Sequence, residues 1–252
     1  MGGSQAERRR AGSPVDAYLA ELAERARTVL GGQLVGVYAG GSLALGAYEQ
    51  GRSDLDVAVV VSDALERRAK EQLVAVWRHE ALPCPARGLE LVVYSREAVA
   101  SGGVEADFEL NLNTGRAMPF RADFELDPAI GSHWFAIDRA ILRDHAIALV
   151  GPPAADVFAA IPRELLLSVV AESLRWHEGG DALGDDAVLN ACRALRYALA
   201  DEWSSKPAAG RWALDRDFDT ETVKAALAAR DGGPPVDPAR AAAFVASALS
   251  RI

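Results

Sequence analysis

The order of apolar and polar positions splits the chain into a first half that alternates between strand and helix patterns and a second half that is helical throughout. Ser13-Pro14 supplies a capping hydroxyl and a proline for a first turn; Tyr18, Leu19, Leu22, Ala26 and Val29 then recur at helical spacing until Gly31-Gly32 stops them. Leu34 to Tyr38 is a β-branched and aromatic run ending in Gly40-Gly41-Ser42, so a strand delivers the chain into a glycine turn. Leu55 to Val61 is too uniformly apolar for a half-exposed strand, which predicts a central strand covered on both faces. Ser62 is placed to cap a helix with an apolar stripe of Leu65, Leu73, Val74 and Trp77, and Leu89 to Tyr94 forms a third strand. Phe108 to Leu112 alternates like a strand, and Trp134 to Val150 reads as helix up to Gly151-Pro152-Pro153. From Pro162 onward every signal is helical, in segments near 162–177, 186–203, 219–230 and 237–251.

The Gly-Pro break and the loss of strands after it predict two domains. Residues 13–158 form an α/β domain built on a mixed β-sheet, and residues 159–252 an all-α helical bundle. Residues 1–12 show no periodicity and are expected to be disordered, and no internal repeat is visible.

Composition narrows the function classes. No apolar run approaches the roughly 20 residues of a membrane span, and the basic residues near the N-terminus have no apolar stretch behind them. A cytoplasmic location is therefore expected, without a membrane partner. Cys84 and Cys192 are isolated, which fits buried reduced thiols better than a zinc site or a disulfide. The net charge of −9 argues against a nucleic-acid partner, because that affinity comes largely from Lys and Arg displacing counterions. Excess acid suits a cationic ligand, and solubility explains it equally well.

The chemistry sits between Tyr38 and Val61. Gly40 and Gly41 let the backbone turn with its amides exposed, and with the Ser42 hydroxyl this makes a cradle for phosphate oxygens. The chain re-enters the sheet at Ser53-Asp54-Leu55-Asp56, where strand alternation sends Asp54 and Asp56 to one side and Leu55 and Val57 to the other. Two carboxylates one pleat apart suit Mg²⁺. Glu90 interrupts an otherwise apolar strand, where a carboxylate is costly to bury unless paired or metal-bound. Singly, a D-x-D pair or a G-G-S turn is more often structural; their combination at the opening of a buried strand is what points to nucleotidyl transfer. Of the histidines, His79 and His177 are expected on helix surfaces, His133 near a helix start and His145 in the helix before Gly151.

This stretch resembles the signature of the DNA polymerase β-like nucleotidyltransferases. From about residue 15 onward the chain further resembles the aminoglycoside adenylyltransferases that modify streptomycin and spectinomycin, through Arg143 to Pro152, Leu174 to Trp176, Arg193, Lys206 and Arg211 to Leu214. The resemblance implies an enzyme that uses ATP and Mg²⁺ to adenylylate a small cationic antibiotic; a monomer is expected. In it Asp54, Asp56 and Glu90 hold the metal, and Glu90 takes the proton from the acceptor hydroxyl. Gly41, Ser42, Ser53, Arg193 and Lys206 serve the triphosphate, with the active site between the two domains. Trp176 and Asp181 match the spacing of a tryptophan and an aspartate that line the drug pocket, with a further acid at Asp185 or Asp186. Three departures stand out: a shortened loop after Trp176, Phe108 to Asn113 where an aromatic drug contact is expected, and Trp134 where an acid is expected near the nucleotide. Two other readings exist, transfer to a protein or tRNA hydroxyl and a non-catalytic nucleotide-binding module. The helical second half weighs against the first, and the three intact carboxylates weigh against the second.

Overall fold

A computed structural model describes residues 12–126, 131–178 and 184–252, and the chain divides into two compact units. The first runs to Gly102, resumes at Ala106 and again at Asp138, and ends at Ala160; the second takes Gly103–Glu105, the residues leading to Ile137, and Ile161–Ile252.

The first unit opens with α1 (Pro14–Leu30), capped by Ser13, whose hydroxyl accepts from the Asp16 amide at 3.1 Å. It continues through β1 (Leu34–Ala39), the single-turn α2 (Gly41–Ala44), β2 (Leu55–Val61), α3 (Arg67–Trp77), β3 (Leu89–Ser95), α4 (Arg96–Ala100), β4 (Leu110–Gly115) and β5 (Met118–Asp123). Helix α5 (His133–His145), which enters this unit at Asp138, leads to β6 (Ile147–Val150). The strands form one sheet in the order β5-β4-β3-β2-β1-β6, with β2 and β3 parallel and every other neighbouring pair antiparallel. The sheet is mixed, and β2 is interior as expected.

Period-two alternation assigns the two faces. Leu55, Val57, Val59 and Val61 on β2, Leu89, Leu91 and Val93 on β3, and Leu110 and Leu112 on β4 share one core with Tyr18, Leu19 and Leu22 of α1 and with Leu73 and Trp77 of α3. The opposite face is covered only in part. Tyr38 meets Phe158 edge-on at 5.4 Å and donates to the Pro152 carbonyl at 3.0 Å, while Arg139 donates to the Ala98 carbonyl at 2.8 Å. Toward the start of β2 that face carries half-buried polar side chains instead.

The second unit contains α6 (Arg163–Glu178), α7 (Asp185–Ala200), α8 (Lys206–Leu214), α9 (Thr220–Arg230) and α10 (Pro238–Leu249). Helix α7 is its centre: Ala187, Val188, Leu189, Ala191, Cys192 and Leu195 are buried, and α6, α8, α9 and α10 pack around it. Ser205, Asp219 and Asp237 cap α8, α9 and α10 through bonds from the amides of Ala208, Thr222 and Arg240. Cys84 and Cys192 are free and buried, and burial pushes the Cys192 thiol up to about 12. Among the described residues no helix is long and apolar enough to cross a membrane.

Four local expectations are corrected. Residues 134–150 are not one helix: α5 ends at His145, and Ile147–Val150 pairs with β1 because edge pairing there satisfies backbone groups that helix would leave at the sheet margin. Strand β5 was not foreseen, since it is a hairpin partner with an exposed Phe120 rather than a buried run. Ser62 does not cap α3; its hydroxyl donates to Asp63, Glu66 is the cap position, and the Glu109 carboxylate accepts from the Leu65 amide at 2.9 Å. Residues 206–214 form a helix although Pro207 and Gly210 weaken the pattern. Gly210 is needed for close approach, because a Cβ there would lie 2.9 Å from Leu189 and 3.0 Å from Leu227.

Trp77 is fully buried and its indole N–H donates to the Leu22 carbonyl at 3.2 Å, tying α3 to α1. Trp77→Phe should therefore lower unfolding free energy by about 1–3 kcal/mol, combining lost volume with a lost hydrogen bond. Urea denaturation followed by circular dichroism checks this; an unchanged midpoint would mean that the α1–α3 contact is not held through this side chain.

Candidate active site

The starts of β2 and β3 and the ends of β1 and β4 meet at one margin of the sheet, and the polar residues of the signature gather there. In the parallel ladder Asp56 stands opposite Glu90, and in the next ladder Glu90 stands opposite Asn113. Neighbouring strands lie about 4.8 Å apart, so Asp56 and Glu90 are adjacent side chains on the face not packed by α1 and α3. Asn113 is paired in turn with Arg121 of β5, so one polar row crosses four strands. Glu90 is thus not an edge glutamate but an interior-strand acid beside another acid.

The glycine turn lies against this pair. The Gly40 amide donates to the Asp56 carbonyl at 2.8 Å, holding the turn on the first residues of β2. Gly41 has φ +50°, and a Cβ on it would fall 1.6 Å from Asp56 Oδ2, so the turn backbone packs directly on the carboxylate. Ser42, second in the single-turn helix, has a shielded hydroxyl with no hydrogen-bond partner among the described residues. Ser53 is buried; its Oγ accepts from the Glu49 amide at 3.0 Å, which leaves its O–H to donate.

Asp54 sits one residue before β2 and pairs with Arg87, whose Nη2 donates to Oδ2 at 3.1 Å. Among the described residues no group of three or more His, Cys, Asp and Glu side chains is already gathered as a metal cage. Asp56 and Glu90 are neighbours by register, and Asp54 is held by a cation. Sequence reasoning passed over Arg87 and the β4 asparagines. The available signal was a basic residue three positions before the acid of a second strand.

The remaining predicted residues lie in the second unit. Trp176, in the last turn of α6, is 46% exposed and meets Trp134 edge-on at 5.7 Å. Asp185 is half-buried in the first turn of α7, and neighbouring Asp186 pairs with Lys206 at 3.1 Å. Arg193 donates to the Asn190 side chain at 3.5 Å, and that amide lies 3.4 Å from His177 Nε2. The structure therefore gathers Trp176, Arg193, Lys206 and Asp186 around His177. Asp181 lies outside the described residues.

His177 corrects an expectation: it is buried, not on a helix surface, because it stacks edge-on with Trp134 and Trp176. His133 is also buried, beside Trp134 and 3.8 Å from Glu172. His79 lies in the turn after α3 rather than on a helix, its Nδ1 accepting from the Cys84 amide at 3.1 Å. The doublets His133-Trp134 and Trp176-His177 were the signal in the sequence for this cluster.

Comparison with known proteins matches the same two regions. A nucleotidyltransferase domain model matches residues 19–107, and a model described as the aminoglycoside adenylyltransferase C-terminal domain matches 156–248. Over these two regions the chain is similar to the aminoglycoside adenylyltransferase family. It is 27% identical over 175 residues to the aminoglycoside (3'') (9) adenylyltransferase of Rhizobium radiobacter, covering 65% of this chain and 63% of that family member. The Escherichia coli protein of the same name is also 27% identical over 175 residues, covering 65% of each. The match thus spans less than two thirds of these relatives' length. The structure of the spectinomycin adenyltransferase AAD(9) from Enterococcus faecialis with ATP and spectinomycin has the same fold, with a TM-score of 0.68. The two are 15% identical, over 93% of this chain and 98% of that one.

Burial lowers the affinity of His133 and His177 for a proton. For His177 nearby Lys206 and then His133 act in the same direction, while Glu172 partly opposes the effect at His133. The unfolded chain therefore binds more protons near and below pH 6.5, so stability is fully present above that value and is lost as pH falls toward the folded values. The urea midpoint of the helical unit should drop between pH 7 and pH 5.5, and His177→Gln should flatten that drop. An equally steep profile in the variant would remove His177 from the account.

Proposed function

We propose that the chain transfers AMP from ATP to a hydroxyl group of an aminoglycoside or aminocyclitol, with Mg²⁺ as cofactor and pyrophosphate as leaving group. The observation that carries this reading is the juxtaposition of Asp56 and Glu90 against the Gly41-Ser42 turn. The printed names of the relatives support the acceptor class, and the co-crystallised ATP and spectinomycin of the structural neighbour support the two-substrate arrangement for that protein.

The donor set fits a hard divalent cation. Asp54, Asp56 and Glu90 are oxygen ligands, and the unpartnered Ser42 hydroxyl beside a position that excludes a Cβ fits an incoming phosphate oxygen. When bound, Mg²⁺ neutralises charge on the attacking and leaving oxygens. Ser42 and Ser53 donate hydrogen bonds from their hydroxyls to the triphosphate, and the Gly41 backbone leaves room for it. Glu90 accepts the acceptor's hydroxyl proton as the new O–P bond forms at the α-phosphorus and the bond to the β-phosphate oxygen breaks. Arg193 and Lys206 serve the phosphates. Trp176, with Asp181 and Asp185, supplies an aromatic face and carboxylates for a cationic acceptor, since groups that lose hydration on binding need both.

The test is pyrophosphate release from MgATP with streptomycin, spectinomycin or other aminoglycosides supplied singly. Wild type should release pyrophosphate with at least one of them. Glu90→Gln should slow release roughly 10²–10⁴-fold at neutral pH, because the amide cannot take a proton. No release with any acceptor would refute the antibiotic reading; release undiminished in Glu90→Gln would remove Glu90 as base. Gly41→Ala, whose methyl would collide with Asp56, should lose turnover while the sheet still folds; a fully active variant would sink the cradle assignment.

A further inference from the structure

Arg87 is fixed at the margin where Asp54 emerges. Its amide donates to the Ser53 carbonyl at 3.1 Å, its carbonyl accepts from the Ala117 amide at 3.3 Å, and the next carbonyl, Gly88, accepts from Leu55 at 2.9 Å. The segment before β3 therefore runs beside the segment before β2 as a continuation of the parallel ladder. Gly115 and Gly88 let β4 close on this segment: a Cβ on Gly115 would lie 2.7 Å from the Arg87 carbonyl and 2.5 Å from Gly88 Cα. With the backbone held on both sides, only the side chain is at liberty. It is spent on Asp54, with the guanidinium 49% and the carboxylate 26% exposed.

We propose that Arg87 is a positioning residue that makes metal binding at Asp54 depend on nucleotide. This rests on the reading of Asp54 as a metal ligand. A cation cannot take the Asp54 oxygens without displacing the guanidinium or leaving a fixed positive charge beside a dication, and like charges a few ångströms apart repel. The triphosphate reverses the sign of that effect. Its oxygens accept from the displaced guanidinium, which is always charged and forks to phosphate geometry. Free divalent cation is thereby disfavoured, and the metal–ATP complex is favoured as a unit. Arg87 takes no proton and breaks no bond.

The experiment measures Mn²⁺ binding by electron paramagnetic resonance without nucleotide, and MnATP binding by calorimetry, both without acceptor. Wild type, Arg87→Gln, Arg87→Lys and Asp54→Asn are compared. Arg87→Gln should bind free Mn²⁺ about 5-fold more tightly, the fold-change equivalent to an exposed pair worth about 1 kcal/mol, and should bind MnATP more weakly. The opposite signs are the signature, since a merely structural role would weaken both. Arg87→Lys keeps the charge and should fall between wild type and Arg87→Gln on both measures. Asp54→Asn should lose free Mn²⁺ binding. If Arg87→Gln binds free Mn²⁺ no more tightly than wild type while Asp54→Asn still abolishes binding, the role of Arg87 is overturned and the metal reading stands. If Asp54→Asn binds Mn²⁺ and MnATP like wild type, the metal reading itself has failed, and this inference with it.

Discussion

The register of the parallel pair β2 and β3 is the constraint on which the rest of the first unit depends. Leu55, Val57, Leu89 and Leu91 must all enter the core against α1 and α3, and side chains alternate with a period of two. Once Leu55 is matched to Leu89, Asp56 is matched to Glu90 without further choice. A slip of either strand by one residue would drive its carboxylate into a core of leucines and valines at a cost of several kcal/mol. Burial of the apolar set and adjacency of the two acids are therefore one event. This is how a fold stabilised on one face of a sheet holds like charges together on the other.

Holding them there requires an environment that is not fully dry. Asp56 and Glu90 are half-buried, and the row continues through Asn113 to Arg121, with Asn111 donating to Asp123 at 3.2 Å and Arg121 to the same carboxylate at 2.7 Å. Amides and a guanidinium along the row offer dipoles and a compensating charge that an apolar β4 would not. Beyond the acids the same face is covered by Tyr38, Phe158 and the Arg139 bond to Ala98, so its polar end lies at the strand starts.

Elements whose cause is local were legible in the sequence. Helix α1 has its cap, its proline and its glycine stop within the segment itself, and β2 announces its central place by being apolar on both faces. Elements made by distant partners were not. Strand β6 exists because β1 has an open edge, β5 because β4 turns back at Arg116 and Ala117, and α8 because Gly210 fits between Leu189 and Leu227. The same division runs through the candidate site. Residue types at Asp54, Asp56 and Glu90 point to oxygen-ligand chemistry from composition alone. That Glu90 faces Asp56 and that Arg87 reaches Asp54 follow from strand pairing across more than thirty positions, as the 33-residue separation of the latter pair shows. His177 was misplaced because charged neighbours along a helix do not reveal that two tryptophans cover it.

That cluster sets the electrostatics of one part of the helical unit. Trp134 stands where the family resemblance leads one to expect an acid, and it is flanked by His133 with His177 nearby. Burial disfavours the imidazolium of both histidines, and Lys206 adds to the effect at His177. At neutral pH the cluster is therefore a neutral aromatic wall, from which Trp176 presents an exposed face, while the carboxylates of Glu172, Asp185 and Asp186 lie on the adjoining helices α6 and α7. A ring face backed by neutral imidazoles, with acids only at its rim, costs less to desolvate than one that holds a charge, and acidification charges the histidines behind the rings.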